Sequence, residues 1–249
     1  MPNLPDPVQV AADLVRLNTV NPPGNEEQAA RYLGEMLQGF GLETAYARLE
    51  ENRAGLVATL KGEGDGPALV YTGHLDTVPL GNAPWSFDPH AGIIENGKLL
   101  GRGAADMKSG VAAMAVAAAT LAQGPRGKGD LVFAFCASEE TGSQGAVQMI
   151  ASGLLSAEAG ALLVAEPSDN RPFLGHKGAL WLNCAAKGKS AHGSMPDLGD
   201  NAIYKAARAV SSLQDFFAGA PAHPKLGKPT LNVGAFIGGG KINMVPDQA

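Results

Sequence analysis

The chain has little cysteine, little positive charge and no long apolar run. Its two cysteines, Cys136 and Cys184, both lie in apolar stretches, which excludes a disulfide framework and predicts buried, reduced thiols in a cytosolic protein. The net charge of −5 provides no basic surface for nucleic acid. No apolar run reaches ~18 residues, and Met1 to Asp13 has no positive region ahead of an apolar core. We therefore expect neither a membrane span nor a signal peptide.

What the chain does contain is typical of a soluble globular protein. Of its 249 residues, 45% are hydrophobic and 17% are charged, which argues against disorder. Its 33 glycines exceed the usual ~7% share and cluster in loops beside acidic residues and histidines, where close approach of the backbone is useful. The length suits one large domain or about one and a half ordinary ones.

Helices and strands alternate through the first two thirds of the chain. Asp6-Pro7 has the form of a helix N-cap followed by proline, and Asn96-Gly97 has the form of a hairpin turn. Hydrophobic periodicity predicts helices near 8–15, 29–40, 111–121 and 145–152, and strands near 43–49, 54–61, 68–72, 130–137 and 161–165. This alternation predicts an α/β fold with a mostly parallel central sheet and flanking helices.

The pattern changes after Pro172. The elements predicted beyond it are strands near 179–186 and 230–237 and a helix near 201–217. We therefore expect two domains. Residues 1–172 would form a catalytic, metal-binding α/β domain, and residues 173–249 would form the start of a smaller α+β domain.

Side chains suited to catalysis cluster where the predicted strands end. His74 and Asp76 follow the strand near 68–72, and residues two apart on a strand face the same side. The carboxyl ends of strands in an open α/β sheet are the usual place for ligand sites. An imidazole beside a carboxylate suits a metal ligand and the group that fixes its tautomer. The alternative is a polar strand end packed into a loop.

Asp106, Glu140 and Glu166 also fall at or just beyond the ends of predicted elements. One histidine and three carboxylates at the same edge of a sheet form a site for hard or borderline metal ions. Adjacent carboxylates such as Glu139 and Glu140 allow one to bind metal while the other moves protons. Taken singly, the acidic pair could also be an exposed turn, and Asp106 a helix N-cap.

Six segments, in their order, resemble the di-zinc metallopeptidase family of aminoacylase, acetylornithine deacetylase, succinyl-diaminopimelate desuccinylase and glutamate carboxypeptidase. The segments are residues 72–79, 101–108, 138–140, 166–167, 190–192 and 243–246. Each motif is weak by itself, whereas six in the family's order are specific. The resemblance implies a phosphorylase/hydrolase-like catalytic domain, followed by the beginning of a dimerisation (lid) domain.

The same resemblance implies a two-metal amidohydrolase, usually with zinc and with Co2+ or Mn2+ as alternatives. His74 and Glu166 would hold one ion and Glu140 the other. Asp106 would bridge the two ions, while Asp76 would orient His74. Two ions about 3.5–4 Å apart share a water, lower its pKa and polarise the scissile carbonyl.

The remaining roles also follow from the resemblance. Glu139 would take a proton from the water and pass it to the leaving amine. In this family, the histidine at the position of His192 reaches the active site of the partner subunit and supports the oxyanion, which implies a homodimer. Asn243 matches a family position close to the bound substrate.

The expected substrate is an N-acyl amino acid or a similar amide with a free carboxylate. Deacylase and carboxypeptidase members of the family tend to have glutamate at the position of Glu166, and residues 21–26 resemble the deacylases. A metallocarboxypeptidase or dipeptidase of the same family, acting on short peptides, is one alternative. A non-catalytic homologue acting in dimerisation is another, and the presence of Glu139 argues against it.

The chain departs from the family in lacking a final histidine ligand and a substrate-binding arginine after the small domain. None of its histidines lies beyond Asn243, so the second metal site has only Asp106 and Glu140. We expect the chain to be part of a longer enzyme, ending at Ala249 inside the dimerisation domain. An open sheet edge there would favour poor solubility or dimer formation.

Overall fold

Asp6 caps the first helix, as its sequence predicts. Its carboxylate accepts a hydrogen bond from the backbone N–H of Val8 (3.0 Å), and Pro7 occupies the first turn, where an N–H has no helical partner in any case. The second helix ends before Gly41, whose φ of +84° suits glycine. Local sequence signals therefore bound both helices.

The computed structural model describes residues 2–156 and 158–249. Its helices are α1 (Pro7–Arg16), α2 (Glu27–Gly39), α3 (Ser109–Ala122), α4 (Gln144–Ala151) and α5 (Ala202–Gly219). Its strands are β1 (Glu43–Glu50), β2 (Arg53–Leu60), β3 (Gly66–His74), β4 (Ile93–Glu95), β5 (Lys98–Leu100), β6 (Gly129–Cys136), β7 (Ala161–Val164), β8 (Ala191–His192) and β9 (Met244–Val245). Every element predicted before residue 166 is present, within a few residues of its expected bounds. Among the described residues, no helix combines the length and the apolar character needed to cross a membrane.

The described residues form two units, one ending at Arg171 and the other running from Pro172 to Ala249. The second unit contains α5 and the two-residue strands β8 and β9, which pair antiparallel. The side-chain oxygen of Asn201 caps α5 by accepting from the backbone N–H of Tyr204 (3.2 Å). The catalytic role of the first unit and the dimerisation role of the second stay predictions.

The first unit is built on a five-stranded sheet with the strand order β1-β2-β6-β3-β7. Strands β6, β3 and β7 run parallel, whereas β2 is antiparallel to both β1 and β6. Four of the five strands therefore point the same way, which confirms the predicted α/β fold with a mostly parallel sheet. The register aligns His74 of β3 with Cys136 of β6, so these strands end together.

Alternate residues of the central strand β6 pack on opposite faces of the sheet. Phe133 and Phe135 are fully buried in the cluster formed with α1, α2 and α3. Ala134 and Cys136 pack instead with Met149 of α4. Burying a side chain as large as phenylalanine contributes about 1.5–3 kcal/mol to stability. Helices thus cover both faces, and polar groups are left to the ends of the strands.

Two strands predicted in the second unit are absent from the described residues. Segments 179–186 and 230–237 form no ladder, and apolar side chains such as Trp181 (70% exposed) lie at the surface. An alternating apolar pattern produces a strand only where a neighbouring strand pairs with its backbone N–H and C=O groups. Cys184 lies in the first segment and is exposed, so the prediction that both cysteines are buried is wrong for this residue.

Candidate metal centre

Three parallel strands bring the candidate residues to one edge of the sheet. His74 is the last residue of β3 and pairs with Cys136, after which β6 continues into the loop that carries Glu139 and Glu140. Glu166 follows β7 by two residues. Because the three strands run in the same direction, the residues after their carboxyl ends converge at one edge.

His74 is almost fully buried, and its ring lies between carboxylates. Its Nε2 is 3.1 Å from Oδ1 of Asp106 and 3.6 Å from Oε1 of Glu166. Its Nδ1 is 2.9 Å from the backbone carbonyl of Asp76 and 3.5 Å from the carboxylate of the same residue. The backbone N–H of His74 donates to Sδ of Met107 (3.1 Å). The ring is therefore oriented through both of its nitrogens.

Asp76 is fully buried and links the strand end to the acidic loop. Its carboxylate accepts from the backbone N–H groups of Glu139 (3.0 Å) and Glu140 (3.2 Å) and from the side-chain amide of Asn21 (2.9 Å). Burial would raise the pKa of this carboxyl, but hydrogen bonds from His74, Asn21 and the Glu139 N–H hold its pKa below the usual value. The ionised carboxylate thus anchors the loop.

Asp106 lies in the turn Ala104–Lys108 that leads into α3, and its own φ and ψ of −120° and 99° are not helical. Its side chain is 53% exposed, whereas Lys108 is buried. The Lys108 ammonium donates to the backbone carbonyls of Leu14 (2.9 Å) and Leu17 (2.8 Å) at the end of α1. The turn is thereby anchored to α1, and the aspartate carboxylate is left to contact the imidazole.

The electrostatics of the cluster favour a cation. Burial alone would lower the pKa of His74, but the hydrogen bond and charge of Asp76, with the neighbouring carboxylates, raise it to about 9. Burial, with the added charge of Asp106, raises the pKa of Glu166 to about 7. Burial also raises the pKa of Glu140. Protons bind strongly here because negative charge is crowded, and a divalent cation would relieve the same repulsion.

Two overlapping sets of side chains can hold a metal ion. The first set is His74, Asp106 and Glu140, and the second adds Glu139 and Glu166 to the same histidine. Within each set, the potential ligand atoms all lie within 4.8 Å of one another. Imidazole nitrogen and carboxylate oxygen are donors that zinc and other borderline divalent ions accept. The donor set present in the first unit therefore fits a divalent metal.

The other two predicted residues, His192 and Asn243, lie in the second unit. The pairing of β8 with β9 aligns His192 with Met244, and the backbone N–H of Gly193 donates to the carbonyl of Asn243 (2.7 Å). His192 is exposed, and its Nδ1 lies 2.8 Å from Oγ of Ser194. The structure thus brings them close together at one end of this short ladder, and their functional roles stay predictions.

Sequence reasoning missed the residues that support the acidic loop from behind. The amide of Asn21 contacts both Asp76 and Thr141 (2.9 Å each), and the carboxylate of Glu26 accepts from the backbone N–H of Ser138 (3.2 Å). Asn21 and Glu26 lie in the stretch that resembles the deacylases. No local pattern links them to partners 55 and 112 positions away.

Comparisons with known sequences identify the family of the chain. A family model described as Peptidase family M20/M25/M40 matches residues 70–229. The chain is 34% identical to a probable succinyl-diaminopimelate desuccinylase of Staphylococcus epidermidis over 223 residues, 89% of this chain and 54% of that protein. It is 32% identical to a succinyl-diaminopimelate desuccinylase of Gluconobacter oxydans over 259 aligned residues, 98% of this chain and 65% of that protein. The chain thus spans between about half and two thirds of these relatives.

Solved structures with the same fold are longer than this chain. A tripeptidase from Staphylococcus aureus has a TM-score of 0.62 at 25% identity, and the match covers 100% of this chain and 65% of that one. An M20 family metallo-carboxypeptidase from Sulfolobus solfataricus has a TM-score of 0.69 at 16% identity, and the match covers 98% and 69% of the two chains. The second likeness concerns the fold alone.

Proposed function

The chain belongs to peptidase family M20/M25/M40, and from this premise we propose that its first unit is the metal-binding part of a hydrolase that cleaves amide bonds. The proposed substrate is an N-acyl amino acid with a free carboxylate, cleaved as by a deacetylase or desuccinylase. Two relatives described as desuccinylases support this substrate class. The glutamate at position 166 supports it as well, since the resemblance associates glutamate there with deacylases and carboxypeptidases.

The observation that carries the proposal is the surroundings of His74. A buried imidazole has carboxylate oxygens at 3.1 Å and 3.6 Å from Nε2, and these belong to Asp106 and Glu166. A protonated histidine alone is a poor counterion for so many carboxylates, which is consistent with the raised pKa values of Glu140 and Glu166. Such a cluster at the carboxyl ends of parallel strands is the arrangement expected of a metal-dependent active site.

We assign the metal ligands as the resemblance implies. His74 and Glu166 would hold one ion and Glu140 a second, with Asp106 between them. When bound, a divalent ion supplies Lewis acidity, which polarises an amide carbonyl and acidifies water. Asp76 would keep the His74 ring in place, because its backbone carbonyl and its carboxylate both face Nδ1.

Glu139 is the proposed general base and acid. Its carboxylate would take a proton from the attacking water as the water oxygen bonds to the carbonyl carbon. It would then give that proton to the amine nitrogen as the C–N bond breaks. The backbone N–H of Glu139 donates a hydrogen bond to the carboxylate of Asp76 (3.0 Å). This bond fixes the backbone of the proposed base close to the His74 imidazole.

The second unit would complete the site in a homodimer. We propose that His192 supports the oxyanion in the active site of the partner subunit and that Asn243 lies close to bound substrate. The change His192→Ala should then lower turnover and leave the metal content unchanged. A loss of metal on this change would instead make His192 a ligand.

A second candidate function is peptide hydrolysis by the same chemistry. It is favoured by the likeness at 25% identity to a tripeptidase from Staphylococcus aureus. The two candidates differ in substrate and share the metal centre. Parallel assays with an N-succinyl amino acid and with a tripeptide separate them, because a deacylase cleaves the first and a tripeptidase the second.

Two adjacent glutamates provide the main test. In the metal-loaded enzyme, Glu139→Gln should keep the bound metal and lose turnover by about 10²–10⁴-fold, the usual contribution of general acid–base catalysis. Glu140→Gln changes the neighbouring residue in the same way but removes a proposed ligand, so it should lower the metal content. Metal is measured by elemental analysis after dialysis without chelator.

The outcomes of this comparison are distinct. Retained metal in Glu139→Gln with reduced metal in Glu140→Gln supports the assignment. Equal metal loss in both variants would make Glu139 a ligand as well, an arrangement in line with the second set of donors. A wild-type protein that binds no divalent metal at all would overturn the proposed function.

A further inference from the structure

A buried ion pair lies directly behind the acidic loop. Glu26, which is fully buried, precedes α2, and Arg53 is the first residue of β2. The guanidinium donates two hydrogen bonds to the carboxylate, from one terminal nitrogen to Oε1 (2.7 Å) and from Nε to Oε2 (3.0 Å). The hydrogen bond to Glu26 raises the pKa of Arg53 above its usual value, so the guanidinium stays charged.

The carboxylate of Glu26 does more than pair with arginine. Its Oε2 accepts from the backbone N–H of Asn25 (3.1 Å), and its Oε1 accepts from the backbone N–H of Ser138 (3.2 Å). Ser138 is fully buried and has a φ of +60°, a conformation that non-glycine residues rarely adopt. An anchor on its N–H therefore acts at the point where the chain turns out of β6.

Three consecutive backbone N–H groups of this turn donate hydrogen bonds to two buried carboxylates. The first, from Ser138, points to Glu26, and the next two, from Glu139 and Glu140, point to Asp76. Successive N–H groups around a left-handed residue form a concavity suited to anions. The backbone that carries the acidic pair is thus held from two sides, and only one of the two anchors also contacts His74.

The backbone of Gly24 packs closely against the ion pair. A Cβ atom on Gly24 would lie 2.3 Å from Nε of Arg53 and 2.7 Å from Oε2 of Glu26. The φ of Gly24 is +106°, which also suits glycine. The backbone of the preceding loop therefore packs directly against the pair, and a side chain at position 24 would collide with both of its members.

Buried ion pairs contribute little to stability by themselves. Replacing such a pair by apolar side chains of similar size is often neutral or stabilising, whereas removing one partner leaves a buried charge that is strongly destabilising. The pair at this position is therefore better explained by the backbone that it holds than by its own energy. What it holds is the backbone N–H of Ser138.

We propose that Glu26, held in place by Arg53, is a positioning residue that sets the direction in which Glu139 and Glu140 leave the sheet. The inference rests on the proposed function, because it assigns Glu140 to metal binding and Glu139 to proton transfer. Glu26 acts through the Ser138 N–H and touches neither metal nor substrate.

A pair of double variants isolates the single hydrogen bond. Glu26→Gln with Arg53→Met removes both charges but keeps an oxygen that can accept from Ser138. Glu26→Met with Arg53→Met removes both charges and the acceptor. Leu37→Ala serves as the control for general loss of stability, because Leu37 is fully buried in the last turn of α2, at the opposite end of that helix from Glu26.

Three measurements are made on each protein: thermal midpoint, Co2+ affinity from the visible absorbance of the bound ion, and amide hydrogen exchange at residues 138–140. In the methionine double variant, we expect Co2+ affinity to fall by about 10–100-fold, as on loss of other groups that orient metal ligands. Exchange at the three amides should rise by about tenfold. For the glutamine double variant, both the Co2+ affinity and the exchange rates of the three amides should stay within a few-fold of the wild-type values.

The comparison at equal stability decides the inference. If the methionine variant binds Co2+ and exchanges as Leu37→Ala does at a similar thermal midpoint, Glu26 has only a structural role. If the methionine variant does not fold, Gly24→Ala takes its place, since its added methyl displaces the pair without changing a charge. If the wild-type protein binds no Co2+, the proposed function fails, and the exchange rates alone decide the positioning role.

Discussion

The carboxylate of Asp76 accepts a hydrogen bond from the backbone N–H of Glu139 at 3.0 Å, across 63 positions of sequence. Asp76 follows the end of β3, and Glu139 follows the end of β6. One buried carboxylate therefore joins the strand end that carries His74 to the loop that carries the acidic pair. The spacing between imidazole and glutamates depends on this joint.

The change Asp76→Asn should loosen this joint. Asparagine has the same size, but its NH2 group would face one of the two backbone N–H donors of the loop, where Asp76 now offers an acceptor. We expect the affinity for Zn2+ to fall by about 10–100-fold, the usual cost of losing a group that orients metal ligands. Competition with a chromogenic chelator measures it.

Asp130→Asn is the matched control for this change. Asp130 lies at the start of β6, at the opposite end of the strand, where it accepts from Lys61 (3.0 Å) and from the backbone N–H of Gly62 (2.9 Å). Its loss should leave Zn2+ affinity unchanged. Equal affinities in the two variants would contradict a role for Asp76 in orienting the site.

The metal-free protein should show a pH dependence that His74 causes. Its pKa is raised from 6.5 to about 9, because the hydrogen bond and charge of Asp76 overcome the effect of burial. The folded state then holds a proton that the unfolded chain has released. The stabilisation is fully present below pH 6.5 and is lost as the pH rises through about 9.

The His74 contribution is best measured as a difference, because Lys108 acts in the opposite direction. Burial lowers the pKa of Lys108 to about 7, so its contribution to stability increases as the pH rises. Chelator-treated wild type and His74→Gln are unfolded with urea at several pH values. The difference in unfolding free energy between wild type and His74→Gln should shrink by on the order of 3 kcal/mol as the pH rises from 6.5 to about 9. If the unfolding free energies of the two proteins changed in parallel with pH, His74 would not be the group responsible.

The two cysteines should differ sharply in reactivity. Cys136 is buried, and burial raises its pKa to about 11, so almost no thiolate forms near neutral pH. Cys184 is exposed. Iodoacetamide should therefore label Cys184 in the native protein and both cysteines after unfolding in urea, as read by mass spectrometry. Native labelling of Cys136 in a Cys184→Ser variant would contradict the packing described for β6 and α4.

Local patterns were sufficient for most of the first unit. The cap at Asp6 and the turn at Asn96-Gly97 depend on side chains and backbone angles within a few residues, and both form as predicted. The two-residue period of a strand likewise places Phe133 and Ala134 of β6 on opposite faces. Short-range sterics and periodic burial act on neighbouring residues, which is why such features can be predicted.

Sequence patterns predicted strands wrongly where a strand depends on a pairing partner elsewhere in the chain. Segments 179–186 and 230–237 have the composition of strands, yet no strand pairs with them in the part of the chain that the structure describes. Exposure of Cys184 follows from the same lack of pairing. A strand is stabilised by its neighbour's hydrogen bonds, so its own residues cannot decide whether it forms.

The sequence by itself determined the alternation of elements, the strand ends where the acidic residues and His74 lie, and the order of motifs that resembles a family. Only the tertiary structure decided which buried carboxylates hold the acidic loop. Glu26 meets Ser138 and Asp76 meets Glu139 because separate elements pack side by side. A hydrogen bond requires atoms to lie within about 3 Å, and that proximity is created by packing of the whole unit.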